Sequence, residues 1–297
     1  MSTYNGEKYV GQQLDSLLEQ EYPNLDILIR DDGSKDNTVS IIKGYSEKHS
    51  NIKLIIDKNK GVISSFFDLV QQAAESDYYA FCDQDDFWQS GKISRALSLL
   101  EEEDSTIPLL YFARLDIVDD QLQRLKLSPI PPSGVGFTNA IIQNVATGCT
   151  IVFNHAMRKL FLSAVPNIDK VTMHDSWFYL LGSAFGKVVY DEQSNLLYRQ
   201  HSSNTLGMAD NKLKSALVRY KTFKKKGHQK PYTTQTEEFY RLFGQDLMPE
   251  QRKLVEDFLY KRNSLVGRIS YVARTPLFRQ NKRDTMIFKF LYLLNSY

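Results

Sequence analysis

Residues 78–88 read YYAFCDQDDFW, an apolar run that stops at three carboxylates within four positions, Asp83, Asp85 and Asp86, before aromatics resume at Phe87 and Trp88. Like charges so close raise one another's proton affinity unless a counter-charge is present. A D-x-D turn aims two carboxylates at one point, which suits a hard divalent cation. Mg²⁺ takes one or two protein carboxylates and completes its shell with water and phosphate oxygens. Such an ion would screen a diphosphate and stabilise it as a leaving group. The alternative is a helix N-terminus, where the dipole favours acids. Three acids against a buried strand favour the ion.

Four further clusters carry candidate chemistry. Asp31-Asp32-Gly33-Ser34, with Asp36 and Thr38, sits where a strand turns into a helix. A carboxylate there could accept the imide N–H of uracil or thymine, or the segment is a plain turn with a capping start. Ser2 to Glu7, with Thr3, Tyr4 and Asn5 between, offers small polar groups and backbone N–H to a nucleotide, or again a cap. His174-Asp175 precedes Trp177, Phe178 and Tyr179. A carboxylate beside aromatics is partly desolvated, which suits a general base, whereas the bland reading is an N-cap. In Tyr198-Arg199-Gln200-His201, Arg199 could pair with a phosphate. His201 could ligate a metal or donate a hydrogen bond, or be an ordinary surface histidine. There is no P-loop, zinc spacing or Gly-x-Ser-x-Gly elbow, which argues against an ATPase, a zinc enzyme or a serine hydrolase.

The elements that must carry these residues alternate. Strands are expected at 25–32, 52–57, 77–86 and 109–118, and helices at 37–49, 61–76 and 91–103, with Asp36 as an N-cap. Residues 147–154 look like a strand after a glycine turn, 174–186 a helix, and 187–201 two short strands, while 128–137 is a Pro/Gly loop. This pattern predicts an α/β domain with a largely parallel, doubly wound sheet, whose ligands bind beyond the carboxyl ends of the strands. Two of those ends, at Asp31-Asp32 and Asp83 to Asp86, are acidic, so one crevice could hold both.

The chain has 297 residues, 42% hydrophobic, which suits one large domain with a smaller appendage. Its two cysteines, Cys82 and Cys149, read as buried free thiols in a reducing compartment. No apolar run reaches membrane-span length and no signal peptide is visible, so a cytoplasmic setting is expected. The net charge of +2 divides into −9 for residues 1–209 and +11 for residues 210–297. An acidic body with a basic tail suggests two jobs on one chain.

In order and spacing, STYNGEKY, RDDGSKDNT, CDQDDFW, TGCT, HDSWFYLLGSAFGKVVY and YRQHSSNTLG resemble the family-2 glycosyltransferases over roughly residues 2–208. The later segments are similar to the rhamnosyltransferases that build bacterial cell-wall and capsular polysaccharides. The resemblance implies a GT-A catalytic domain at 1–208 and a basic, mainly helical region at 209–297. Thr3 and Asp32 would contact the nucleotide base, with Tyr4, Asn5, Glu7 and Asp31 nearby. Asp83 would meet the ribose or the metal shell, Asp85 would be the principal ligand of Mg²⁺ or Mn²⁺, and His201 a further ligand. Asp86, Trp88, Gly148, His174, Trp177 and Arg199 would line the donor and acceptor pocket, and Asp175 would take the acceptor's proton. Transfer of L-rhamnose from dTDP-L-rhamnose to a lipid-linked glycan would proceed with inversion. The rivals are a UDP-hexose donor, or an idle sugar-nucleotide- or lipid-binding subunit of an assembly complex.

Family members carry an apolar strand just before S-T-Y-N-G, where here only Met1 precedes it. The expectation is that the natural chain extends upstream of Met1 and that adding those residues stabilises it. Residues 260–297 hold eight Lys+Arg and one acid, Asp284. An interfacial helix on an anionic inner leaflet fits them, as does packing on the catalytic domain or on a second subunit in a homodimer. Nucleic acid is a poor partner, because the acidic body would repel it.

Overall fold

A computed structural model describes residues 1–200 and 230–297. His201 lies outside the described residues. The first three strands, β1 (Ser2–Thr3), β2 (Ile27–Asp31) and β3 (Ile52–Ile56), form a parallel sheet in the order β1-β2-β3. The β2 run ILIRD is buried except at Leu28, as a strand covered on both faces should be. A bond from Ser2 N to Cys82 O, 3.3 Å, ties β1 to the chain just past β4 (Tyr78–Ala80). That strand belongs to a second sheet with β6 (Leu109–Ala113), β9 (Val152–Asn154) and β10 (Lys187–Asp191), in the order β10-β6-β9-β4. Here β10 and β6 are parallel, and β9 is antiparallel to both its neighbours. A third sheet, in the order β5-β11-β7-β8, contains β5 (Phe87–Trp88), β7 (Asp116–Val118), β8 (Arg124–Leu127) and β11 (Leu196–Arg199).

The expected 109–118 strand is therefore two strands in different sheets. Arg114 Nε and the Leu115 amide both bond Ser128, which draws the chain out of β6 between them. The expected 77–86 strand stops at Ala80, which frees Asp83 to Asp86 as a turn. The fully exposed β8 was not anticipated, since RLKL lacks a buried face.

Helix His174–Phe185 is buried on almost every side. Such a helix needs cover all round. Phe66 and Phe161 pack with it, and the helices Pro231–Phe243 and Pro249–Tyr260 join the same cluster through Phe239, Phe243 and Phe258. Trp177 meets Phe239 edge-on at 6.3 Å. The C-terminal helices thus close the core beneath the helix that carries Asp175.

A cavity of about 500 Å³ lies between β2 and β4, lined by Met1, Ile27, Leu28, Tyr79, Ala80 and Phe81 among others. Here β4 pairs with β9, and β2 meets β1 from Arg30 onward. The Met1 ammonium donates to Leu28 O at 2.6 Å, and burial pushes its pKa down.

Candidate active site

Three turns meet at the carboxyl ends of β1, β2 and β4. The first two are joined by reciprocal bonds: Asn5 N to Ser34 Oγ at 2.8 Å, Lys35 N to Asn5 Oδ1 at 2.8 Å, Asn37 N to Glu7 Oε2 at 2.9 Å. Tyr4 N donates to Gln84 Oε1 at 2.8 Å, and Gln84 Nε2 donates back to Tyr4 O at 3.1 Å, which docks the acidic turn on the first. This approach requires glycine at position 6, where a Cβ would stand 2.2 Å from Gln84 Oε1. The turns open on a polar cleft of about 930 Å³ lined by Tyr4, Asn5, Lys8, Gln84, Asp85 and Asp120, among others.

The two acidic pairs have different surroundings. Asp31 accepts from Thr3 Oγ1 at 3.0 Å, Ser34 Oγ at 2.5 Å, Ser34 N at 2.8 Å and Gly33 N at 3.1 Å. Asp32 accepts from Arg30 Nη1 at 2.6 Å, Lys60 N at 2.8 Å and Gly61 N at 2.9 Å. Arg30 is wholly buried and also pairs with Asp57 at 3.1 Å and Asp68 at 3.2 Å. Thr3, Asp31 and Asp32 are thus buried and committed to the protein. Asp32 Oδ1 accepts from both Arg30 and Lys60 N, whereas Oδ2 accepts from Gly61 N and keeps one lone pair.

At the other pair, burial with the neighbouring Asp85 and Asp175 charges pushes Asp83 up to about 7. Burial with Asp85 and Asp83 pushes Asp86 well above the usual carboxylate range. Asp83, Asp86 and Cys149 bring one ligand atom each within 4.8 Å of one another. The Cys149 thiol bonds Asp86 and is itself pushed up by burial and these carboxylates, so it stays protonated. Beneath them Lys92 is buried with its Nζ 3.5 Å over the Trp88 ring, and burial lowers it to about 8. Asp85 lines the polar cleft.

Asp175 stands in the first turn of helix His174–Phe185, accepting from Ser176 N at 2.6 Å and Gly148 N at 3.1 Å. Burial raises it to about 6, against these bonds. A Cβ on Gly148 would lie 2.8 Å from His174 Nε2, so glycine lets the 147–150 turn reach the helix and bond Asp175. Asp175 lies near enough for its charge to raise Asp83.

Four expected pocket residues belong instead to the protein interior. Arg199 is buried, and its guanidinium donates to Asp85 O at 3.0 Å, Gln12 Oε1 at 2.6 Å and Asp120 O. It braces the acidic turn from behind. Trp88 and Trp177 are core residues. His174 stacks on Phe66 at 3.9 Å, and burial lowers it to about 3, so it is neutral. Sequence reasoning missed Cys149 and Lys92 as neighbours of the acids, because nothing in their local patterns distinguishes them from core. It also missed Asp120, which bonds Lys8 Nζ at 2.8 Å and Tyr9 Oη at 2.9 Å on the cleft wall. The Asp119-Asp120 pair just past β7 was its available signal, another acidic strand end.

Comparison with known proteins fits this geometry. The dTDP-rhamnosyl transferase RfbG of Shigella flexneri is 27% identical over 223 residues, 70% of this chain and 73% of RfbG. The glycosyltransferase GlyG of Streptococcus pneumoniae is 22% identical, covering 68% of this chain and 70% of its own. Among solved structures, S. aureus TarS 1–349 with UDP-GlcNAc superposes with a TM-score of 0.63 at 16% identity, covering 99% of this chain and 79% of TarS. The mannosyltransferase PcManGT of Pyrobaculum calidifontis, with GDP-Man and Mn²⁺, gives 0.55 at 14% identity over 99% and 84%. These structural likenesses establish the fold, GT-A. The family model for glycosyl transferase family 2 matches residues 1–162, more than half of the 297, and the chain belongs to that family.

Proposed function

We propose that the protein transfers L-rhamnose from dTDP-L-rhamnose, with inversion, to a lipid-linked glycan in the synthesis of a bacterial cell-wall or capsular polysaccharide. The observation that carries the chemistry is Asp175: a buried carboxyl raised to about 6, in the first turn of a helix, whose charge acts on Asp83. Ionised at neutral pH yet poorly solvated, it is suited to take the proton from an acceptor hydroxyl. The acceptor oxygen attacks the anomeric carbon from the face opposite the departing nucleoside diphosphate, so a β-linked donor yields an α-rhamnoside. The cleft around Tyr4 and Asn5 receives the nucleotide. Thr3, Asp31, Asp32 and Glu7 hold its walls in register.

Mg²⁺ or Mn²⁺ fits the acidic turn. Two desolvated, mutually repelling carboxyls need a counter-charge, and their oxygens are hard donors. Asp85 and Asp83 would hold the ion, with His201 as a further ligand and Asp86 behind them. When bound, the ion supplies positive charge to the diphosphate as it leaves. The rhamnosyl donor is supported by the RfbG relationship. A UDP-sugar donor is the second reading, supported by UDP-GlcNAc in TarS.

Donor hydrolysis by the purified protein tests both, because it needs no acceptor. Release of dTDP from dTDP-L-rhamnose should exceed release of UDP from UDP-glucose, UDP-galactose or UDP-GlcNAc, and EDTA should abolish it. Preference for a UDP-sugar would overturn the rhamnosyl assignment, and full rate in EDTA the metal assignment. No release from any donor would favour an idle binding subunit.

A further inference from the structure

The last two helices, Leu265–Arg274 and Lys282–Leu293, pack against each other, with the Tyr271 and Tyr292 rings 4.4 Å apart. Their inner faces are satisfied by Tyr271, Phe288 and Tyr292, all buried. Their outer faces are apolar too. On the first, Leu265, Val266 and Ile269 are 60, 78 and 55% exposed. On the second, Met286 and Phe290 are 70 and 61% exposed, and Leu294, its C-cap, is 57% exposed. Met286, Phe290 and Leu294 recur every four residues along one side, and Leu265 and Ile269 do the same. Each helix is therefore apolar on two opposite sides, and packing within the chain accounts for only one. Exposed apolar stripes of this extent, rimmed by polar groups, mark an interaction surface.

Charge indicates the partner. Arg274, Lys282 and Arg283 are exposed on the same pair of helices. From residue 260 onward eight Lys+Arg face one acid, Asp284. Neither helix is long and apolar enough to span a bilayer. A short helix with an apolar stripe flanked by basic side chains lies in the membrane interface, the stripe in the acyl boundary and the cations on anionic headgroups. A protein partner or a second copy would need an acidic rim to match. A second copy would bring the same basic rim to face this one.

We infer that the outer face of helices Leu265–Arg274 and Lys282–Leu293 docks on an anionic lipid bilayer. This goes beyond the transferase reading and does not depend on it, because binding is read without turnover. It also gives that reading a location, since Tyr271, Phe288 and Tyr292 on the inner side of these helices belong to the same hydrophobic cluster as Trp177 of the helix that carries Asp175.

The test is co-sedimentation of the full chain with vesicles of phosphatidylcholine, with and without phosphatidylglycerol. Binding is expected with phosphatidylglycerol only and should weaken with salt. Each basic side chain at the surface contributes about fivefold to partitioning, so Lys282→Gln with Arg283→Gln should lower it by more than tenfold. Val266→Ser with Phe290→Ser should lower it at least as much while leaving donor hydrolysis and the circular dichroism spectrum unchanged, because both side chains are exposed. Absence of binding, or equal binding to pure phosphatidylcholine, overturns the proposal. So does a dimer in light scattering that Val266→Ser with Phe290→Ser dissociates, which would show a second copy on this face.

Discussion

Asp175→Asn should separate stability from activity in opposite directions. The carboxyl rises from 3.8 to about 6 on folding, chiefly through burial. That difference corresponds to ~3 kcal/mol that the folded protein forgoes when the group ionises. The sign follows from the raised value: the carboxyl's contribution to stability is fully present below about pH 4 and is lost as pH rises through about 6. Asparagine never ionises, so it should recover this energy at pH 7.5. Part of the gain is lost because the Asn amide offers one oxygen where the carboxylate accepts from both Ser176 N and Gly148 N. Leaving one buried donor without a partner costs ~1–2 kcal/mol. The net expectation is a gain of ~1–2 kcal/mol, about 2–4 °C in melting temperature for a chain of this size. Transfer should fall by about 10²–10⁴ with donor binding kept. In the wild type, the rate should rise tenfold per pH unit up to about 6 and then level off, and the variant's residual rate should ignore pH in that range. Thermal melts at pH 4 and 7.5, run beside a pH–rate profile, give all three readouts. A variant less stable than wild type at pH 7.5, or one that turns over at a near wild-type rate, would refute the assignment of Asp175 as a desolvated base.

Arg199→Met removes a buried guanidinium that donates to Asp85 O, Asp120 O and Gln12 Oε1, and should cost at least ~1–3 kcal/mol, the penalty for one buried acceptor left without its donor, with a matching fall in melting temperature. A melting point within about a degree of wild type would show that the brace is not needed.

Fold and site differ in how far local patterns foretell them. Alternating apolar runs predicted β2 and β3 of the first sheet and the helix between them, because burial on both faces leaves a mark that needs no knowledge of partners, whereas the two-residue β1 and the helix Val10–Leu18 were not among the expected elements. The start of the His174-Asp175 helix was equally visible, whereas the ends of the expected 77–86 and 109–118 strands were not. Nor was the orientation of individual side chains. Arg199 ends a strand next to the cleft, and acceptors distant in sequence, the carbonyls of Asp85 and Asp120 and the side chain of Gln12, 114, 79 and 187 positions away, turn it inward. Trp88 and Trp177 carry aromatic bulk that suits a sugar pocket or a core equally well. The core took both, since a large apolar side chain gains most from full burial.

The two acidic strand ends make the same point in electrostatic terms. By residue type Asp31-Asp32 and Asp83 to Asp86 are alike, and the sequence offered a ligand for each. The structure supplies the first from within: Arg30 and the amides of Gly33, Ser34, Lys60 and Gly61 satisfy its oxygens, and Arg30 lies one residue upstream. Among the described residues no ion pair reaches Asp83 or Asp86; the Met1 ammonium acts on Asp83 and Lys92 on Asp86, and burial lowers the proton affinity of both cations. Carboxyls are pushed upward where burial and neighbouring charge outweigh the favourable contacts. The second turn is therefore the one with electrostatic room for a cation from outside the chain, and it is the one on which the charge of Asp175 acts. The sequence could place both turns at strand ends, but only the position of Arg30 decides which remains to be neutralised.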